Sequence, residues 1–155
     1  MKYILTILLL IGAVSANGQT TKQVDSLNFV SKEFNVPKGC KAPSAYQVQC
    51  HDFTMVWFYT TEEMLKMAPE QAVIHLSEQL KDFKKTSIPV YLLGEEVKGY
   101  ILSFNNEATK KSGYQIVAYG IAAGQPVLVQ LALDKEPKTD ADLPDFPKQI
   151  IRLKK

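Results

Sequence analysis

The sequence predicts an α+β fold: a single domain in which a twisted antiparallel sheet packs against one long helix and a short C-terminal helix. Three observations predict it. The stretch Phe53-Thr54-Met55-Val56-Trp57-Phe58-Tyr59 is apolar on both alternating faces, as a strand covered on both sides would be. Ala72, Val73, Leu76, Leu80 and Phe83 recur at helical spacing. Finally, four strand-like runs between Ile88 and Leu133 are joined by short Gly-containing or polar turns, the pattern of an antiparallel meander.

The elements follow in chain order. Residues 19–28 are polar and read as a flexible lead-in, with the folded domain spanning residues 29–155. Residues 29–36 suit a first strand, stopped by Pro37 and Gly39. Residues 40–45 read as a loop and 46–50 as a strand leading into the 53–59 run. Thr60-Thr61-Glu62-Glu63 has the Thr-x-x-Glu form of a capping box. Pro69 can occupy the first helical position, where its missing N–H costs nothing, and the helix is expected to reach Lys85. Hairpin turns are expected at Gly94-Glu95-Glu96 and Ala123-Gly124-Gln125-Pro126, with an exposed polar turn at residues 105–113 between them. Asp145 is placed to cap a closing helix from Phe146 to Leu153.

The first eighteen residues carry an address. Lys2 precedes an apolar run from Tyr3 to Val14, followed by the small residues Ser15, Ala16, Asn17 and Gly18. This is the pattern of a signal peptide, with cleavage expected after Ala16 or after Gly18. The run is too short to span a bilayer, which takes about 20 residues, so no stable membrane insertion is expected after cleavage. The expected location is the periplasm or the outside of the cell. Loss of Lys2 leaves 17 basic against 16 acidic residues, and the basic ones are scattered. So even a balance gives no electrostatic basis for nucleic-acid binding.

Cys40 and Cys50 are an isolated pair, which in an oxidising compartment reads most simply as a disulfide. The alternative is a thiol nucleophile at Cys50 beside His51, but neighbouring strand residues point to opposite faces.

The segment Phe34-Asn35-Val36-Pro37-Lys38-Gly39, followed by strand, long helix, meander and terminal helix, resembles the PsbP/Mog1-like fold family. That resemblance implies a binding or assembly factor and brings no catalytic motif. With its leader and a Gln19 start, the chain also resembles small secreted proteins of Bacteroidetes-type bacteria. Cystatin-like folds also wrap a meander around a helix. Gln125-Pro126-Val127-Leu128-Val129 lacks the Gly that ends their inhibitory Gln-x-Val-x-Gly hairpin, which argues against protease inhibition by that device.

No HExxH motif, phosphate loop or Gly-x-Ser-x-Gly elbow occurs, and no cofactor is implied. The only histidines are His51 and His75, the latter read as solvated. The acidic pairs Glu62/Glu63, Glu95/Glu96 and Asp140/Asp142 suit caps and turns. Aromatic residues remain as candidates. Trp57 and Tyr59 share a strand face, and an exposed patch there could bind a protein or a small apolar ligand. The expected function is an exported, non-enzymatic binding or accessory module. The alternatives are an inhibitor or immunity-type protein, or a hydrolase with an unrecognised site.

Overall fold

Antiparallel pairing between chain neighbours builds most of the protein. The computed structural model describes residues 22–106 and 110–153, so the leader and its cleavage points lie outside the described residues. A hairpin of β1 (Ser26–Phe29) and β2 (Lys32–Asn35) stands apart from the main sheet. Then come β3 (Lys41–Ser44), β4 (Gln47–Gln49) and β5 (Phe53–Tyr59), followed by helices α1 (Glu62–Leu65) and α2 (Ala68–Gln79). The meander is β6 (Lys81–Leu92), β7 (Glu95–Asn106), β8 (Lys111–Ala122) and β9 (Gln125–Leu133). Short 3-10 turns at Asp140–Asp142 and Pro147–Gln149 lead to β10 (Ile151–Leu153). The eight-stranded sheet has the order β10-β6-β7-β8-β9-β5-β4-β3, with every neighbouring pair antiparallel.

The α+β class and the meander are as the sequence predicts, and several local expectations change. The single strand expected over residues 29–36 is a tight hairpin, with Val30 and Ser31 turning between β1 and β2. Residues 26–28 are not lead-in but part of β1, because Leu27 and Phe29 are fully buried. Residues 41–44 are a strand rather than a loop, paired with β4. The long helix stops at Gln79, and Leu80 is already extended. From there β6 pairs with β7 along its length, with a register shift between Lys81 and Lys84 where Asp82 takes a positive φ of 52°. Asn105 Nδ2 donates to Asp82 Oδ2 at 2.5 Å, holding that irregular step in place. Lastly, the expected closing helix is a 3-10 turn and an edge strand. Pro147 starts the turn, and the alternation of Ile151 and Leu153 into the core favours pairing with β6 over helix.

The meander turns have a simple cause. Leu93-Gly94 and Ala123-Gly124 both take positive φ (51° and 92°; 46° and 77°), the two-residue geometry whose twist matches the strands it joins. Gly at the second position removes half of the steric cost.

Alternation divides the sheet into two faces. Met55 and Trp57 of β5, Ile116 and Ala118 of β8, and Val127, Val129 and Leu131 of β9 form the main core. The β1–β2 hairpin and the C-terminal turns cover it, through Leu27, Phe29, Leu143, Phe146 and Ile150. Phe146 stacks on Phe53, with ring centroids 6.4 Å apart, and meets Phe34 edge-on. The opposite face carries Tyr100, Leu102, Val117 and Tyr119, which pack under Leu65 and Val73 of the helices. Cys40 and Cys50 form a disulfide that ties the start of β3 to the end of β4. No helix among the described residues is long and apolar enough to cross a membrane.

Candidate functional site

The site arises because two helices cannot cover a wide sheet. α1 leans on β8 and β9, and α2 continues toward β6. The helix-side residues of β5, Thr54, Val56 and Phe58, are left half-buried. Between the helices and the β5–β9 pair lies a cleft of about 600 Å³. Its roof is Leu65, Ala68 and Ala72, and its floor is Phe58, Leu128 and Gln130. Tyr59 and Met64, 38% and 36% exposed, stand at the rim. Tyr46, also exposed, meets the Tyr59 ring edge-on at 5.7 Å and extends this apolar margin.

Gln130 is the one feature of the floor that packing does not explain. It is 2% exposed, and its Nε2 has no hydrogen-bond partner. Its cross-strand neighbours are Val56 on β5 and Val117 on β8, whose side chains offer no acceptor. An unsatisfied buried amide costs about 1–3 kcal/mol, so its presence in the run Val-Leu-Val-Gln-Leu-Ala-Leu calls for an explanation. His75 lines the same cleft from α2, half-buried, with its Nε2 3.0 Å from Gln79 Nε2.

Trp57 and Tyr59 do share a face, but that face is the core. Trp57 is 1% exposed, its Nε1 donates to Asn28 O at 2.8 Å, and Phe29 meets it edge-on. The exposed Trp57–Tyr59 patch is therefore not formed, because the β1–β2 hairpin covers it. Tyr59 sits where the hairpin ends: Val30 N donates to its hydroxyl at 2.6 Å, and the hydroxyl donates to Asn28 O at 3.1 Å. The Tyr59 ring remains part of the cleft rim.

Three of the paired acids accept from backbone amides, Glu62 and Glu63 lie in the first turn of α1, and Glu96 accepts from the Tyr91 hydroxyl. Asp142 accepts from the Lys138 and Thr139 amides, Asp140 from the Leu153 amide, and Glu95 from the Ala123 amide. His51 is exposed, beside a cysteine held in the disulfide. Among the described residues no group of three or more His, Cys, Asp or Glu is placed to hold a metal.

A polar chain fixes the helix to the sheet beside the cleft. Tyr119 and Tyr100 hydroxyls lie 3.0 Å apart, Tyr100 donates to Glu70 Oε1, and Lys85 Nζ pairs with Glu70 Oε2 at 2.9 Å. Lys85 also lies 4.1 Å from the Tyr100 ring centroid, a cation–π contact. The hydrogen bond from Tyr100, then Lys85, holds the Glu70 carboxyl below its ordinary value of 4.5. The bond to Glu70 raises Tyr100 above 10.0, and burial raises Tyr119. A lowered carboxyl pKa stabilises the fold above its ordinary value, and that stability is lost as pH falls through the folded-state value. A raised phenol pKa does the reverse, stabilising below 10.0 and losing that contribution as pH rises through the folded-state value. Tyr100→Phe is therefore expected to flatten both the acid and the alkaline limbs of the melting temperature against pH. Thermal melts from about pH 3 to about pH 11 check this, and unchanged limbs would sink it.

No protein-family model matches the chain, and no curated protein matches its sequence.

Proposed function

We propose that this chain is an exported, non-enzymatic binding module whose ligand is a small apolar molecule seated between the helices and the β5–β9 pair. The observation that supports it most is the cleft itself, about 600 Å³ and lined mainly by apolar side chains. Ligand sites typically occupy roughly 300–1,000 Å³, mostly apolar, with a few polar groups that fix orientation. Gln130, His75 and Thr60 supply such groups here. Export is read from the leader pattern at residues 1–18, and the Cys40–Cys50 disulfide suits an oxidising compartment.

The test uses the neutral fluorophore N-phenyl-1-naphthylamine, which brightens in apolar surroundings. The protein is expected to bind it saturably. Ala68→Trp, which places an indole into the roof of the cleft, is expected to weaken binding by at least about tenfold while leaving the thermal melt close to that of the parent. Equal binding by parent and variant would move the site elsewhere. Absence of binding by the parent would remove the reading altogether.

A further inference from the structure

The orphaned amide narrows the ligand's chemistry. We infer that Gln130 Nε2 donates to a carbonyl oxygen of an uncharged apolar ligand, of the ester, amide or ketone class. This inference rests on the cleft being the binding site. Nε2 of an amide only donates, so its missing partner is an acceptor, and because Nε2 is itself buried the Gln130 side chain turns toward the cleft to meet a ligand. The directly opposite β-strand partners are Val56 and Val117, whose side chains carry no acceptor, and Nε2 has no hydrogen-bond partner.

Charge decides between a carbonyl and a carboxylate. No Lys, Arg, Asp or Glu is among the residues that line the cleft. A carboxylate moved there would lose its hydration with no Lys or Arg to replace it, and the Nε2 of His75, the one basic side chain in the lining, is already engaged by Gln79. The helix N-termini do not fill that role. Glu62 and Glu63 already occupy the first turn of α1, and Glu70 the first turn of α2. An uncharged carbonyl asks for one good donor and an apolar bed for the rest of the molecule. Gln130 supplies the first, and Phe58, Leu65, Ala72 and Leu128 supply the second.

Stability and recognition then pull in opposite directions at one position. The free protein carries a buried donor without a partner, and the bound ligand satisfies it. Replacing that amide with an apolar side chain of similar size removes an unmet hydrogen bond, so the melting temperature of the free protein is expected to hold or rise.

The experiment displaces N-phenyl-1-naphthylamine from the parent and from Gln130→Leu with three probes of similar length: methyl decanoate, undecane and decanoate. Gln130→Met, unbranched, is the second variant should the first fail to fold. The parent is expected to bind methyl decanoate about tenfold more tightly than undecane, and more tightly than decanoate. The variant is expected to lose the preference for the ester over undecane. Tightest binding of decanoate, or an ester preference that survives in the variants, overturns the carbonyl inference while the cleft stands. Failure of the parent to bind the fluorophore or any probe overturns both.

Discussion

Trp57→Ala is expected to destabilise the protein by about 3–5 kcal/mol, the largest effect of any single substitution considered for this fold. Trp57 is the largest fully buried side chain. It lies on the core face of β5 among Phe29, Met55 and Val129, which belong to one cluster. Its removal opens a cavity and also deprives Asn28 O of the indole donor that anchors β1. The melting temperature should fall by more than about 10 °C. Trp57→Phe separates the two contributions, since it keeps an aromatic ring and loses the hydrogen bond. It is expected to fall between the parent and the alanine variant. A change of only a degree or two in Trp57→Ala would mean that the β1–β2 hairpin does not rest on this face.

The second large effect is loss of the disulfide. Cys40→Ser with Cys50→Ser, or reduction of the parent, is expected to cost roughly 2–3 kcal/mol, because the bridge limits an 11-residue loop in the unfolded chain. Its place sharpens the expectation. The bridge joins the ends of β3 and β4, the outermost pair at one edge of the sheet. β3 pairs irregularly, with a register shift between Lys41 and Ser44. Hydrogen exchange should therefore quicken first in β3 and β4, ahead of the meander. Denaturant unfolding with and without reductant checks the magnitude, and a coincident pair of curves would contradict it.

Much of the architecture was legible because local signals agreed with it. The apolar run at residues 53–59 gave β5 its bounds, and the glycines at 94 and 124 marked the two tight hairpin turns. The capping signal lay one residue off: Thr61, not Thr60, accepts from the Met64 amide. Where the reading failed, long-range pairing outweighed local pattern. Leu80 and Phe83 keep a helical spacing, yet residues 81–92 find a full-length partner in β7. Ile150 and Leu153 fit a helix face, yet Ile151 and Leu153 alternate into the core as an edge strand.

The site was less legible than the fold for a related reason. Trp57 and Tyr59 were correctly placed on one face, but which face a distant hairpin covers is not written in β5. The covering residues, Leu27 and Phe29, sit in or beside a segment whose polar composition resembles a tail. Gln130 did leave a signal: one amide within an apolar strand, in register with Leu128 on the helix side. Only the two faces of the folded sheet distinguish such a residue from an ordinary solvated one. The cleft beneath the helices has no sequence signature, since it comes from the difference between sheet width and helix length.

The proposed ligand would sit in the cleft with its carbonyl on the Gln130 amide. The most direct measurement follows the side-chain amide resonances of the isotopically labelled protein during titration with methyl decanoate. Saturable shifts are expected of the Gln130 side-chain amide pair together with the backbone signals of Phe58, Ala72 and Leu128. Shifts confined to other surfaces, or a Gln130 amide unmoved at saturation, would contradict that placement.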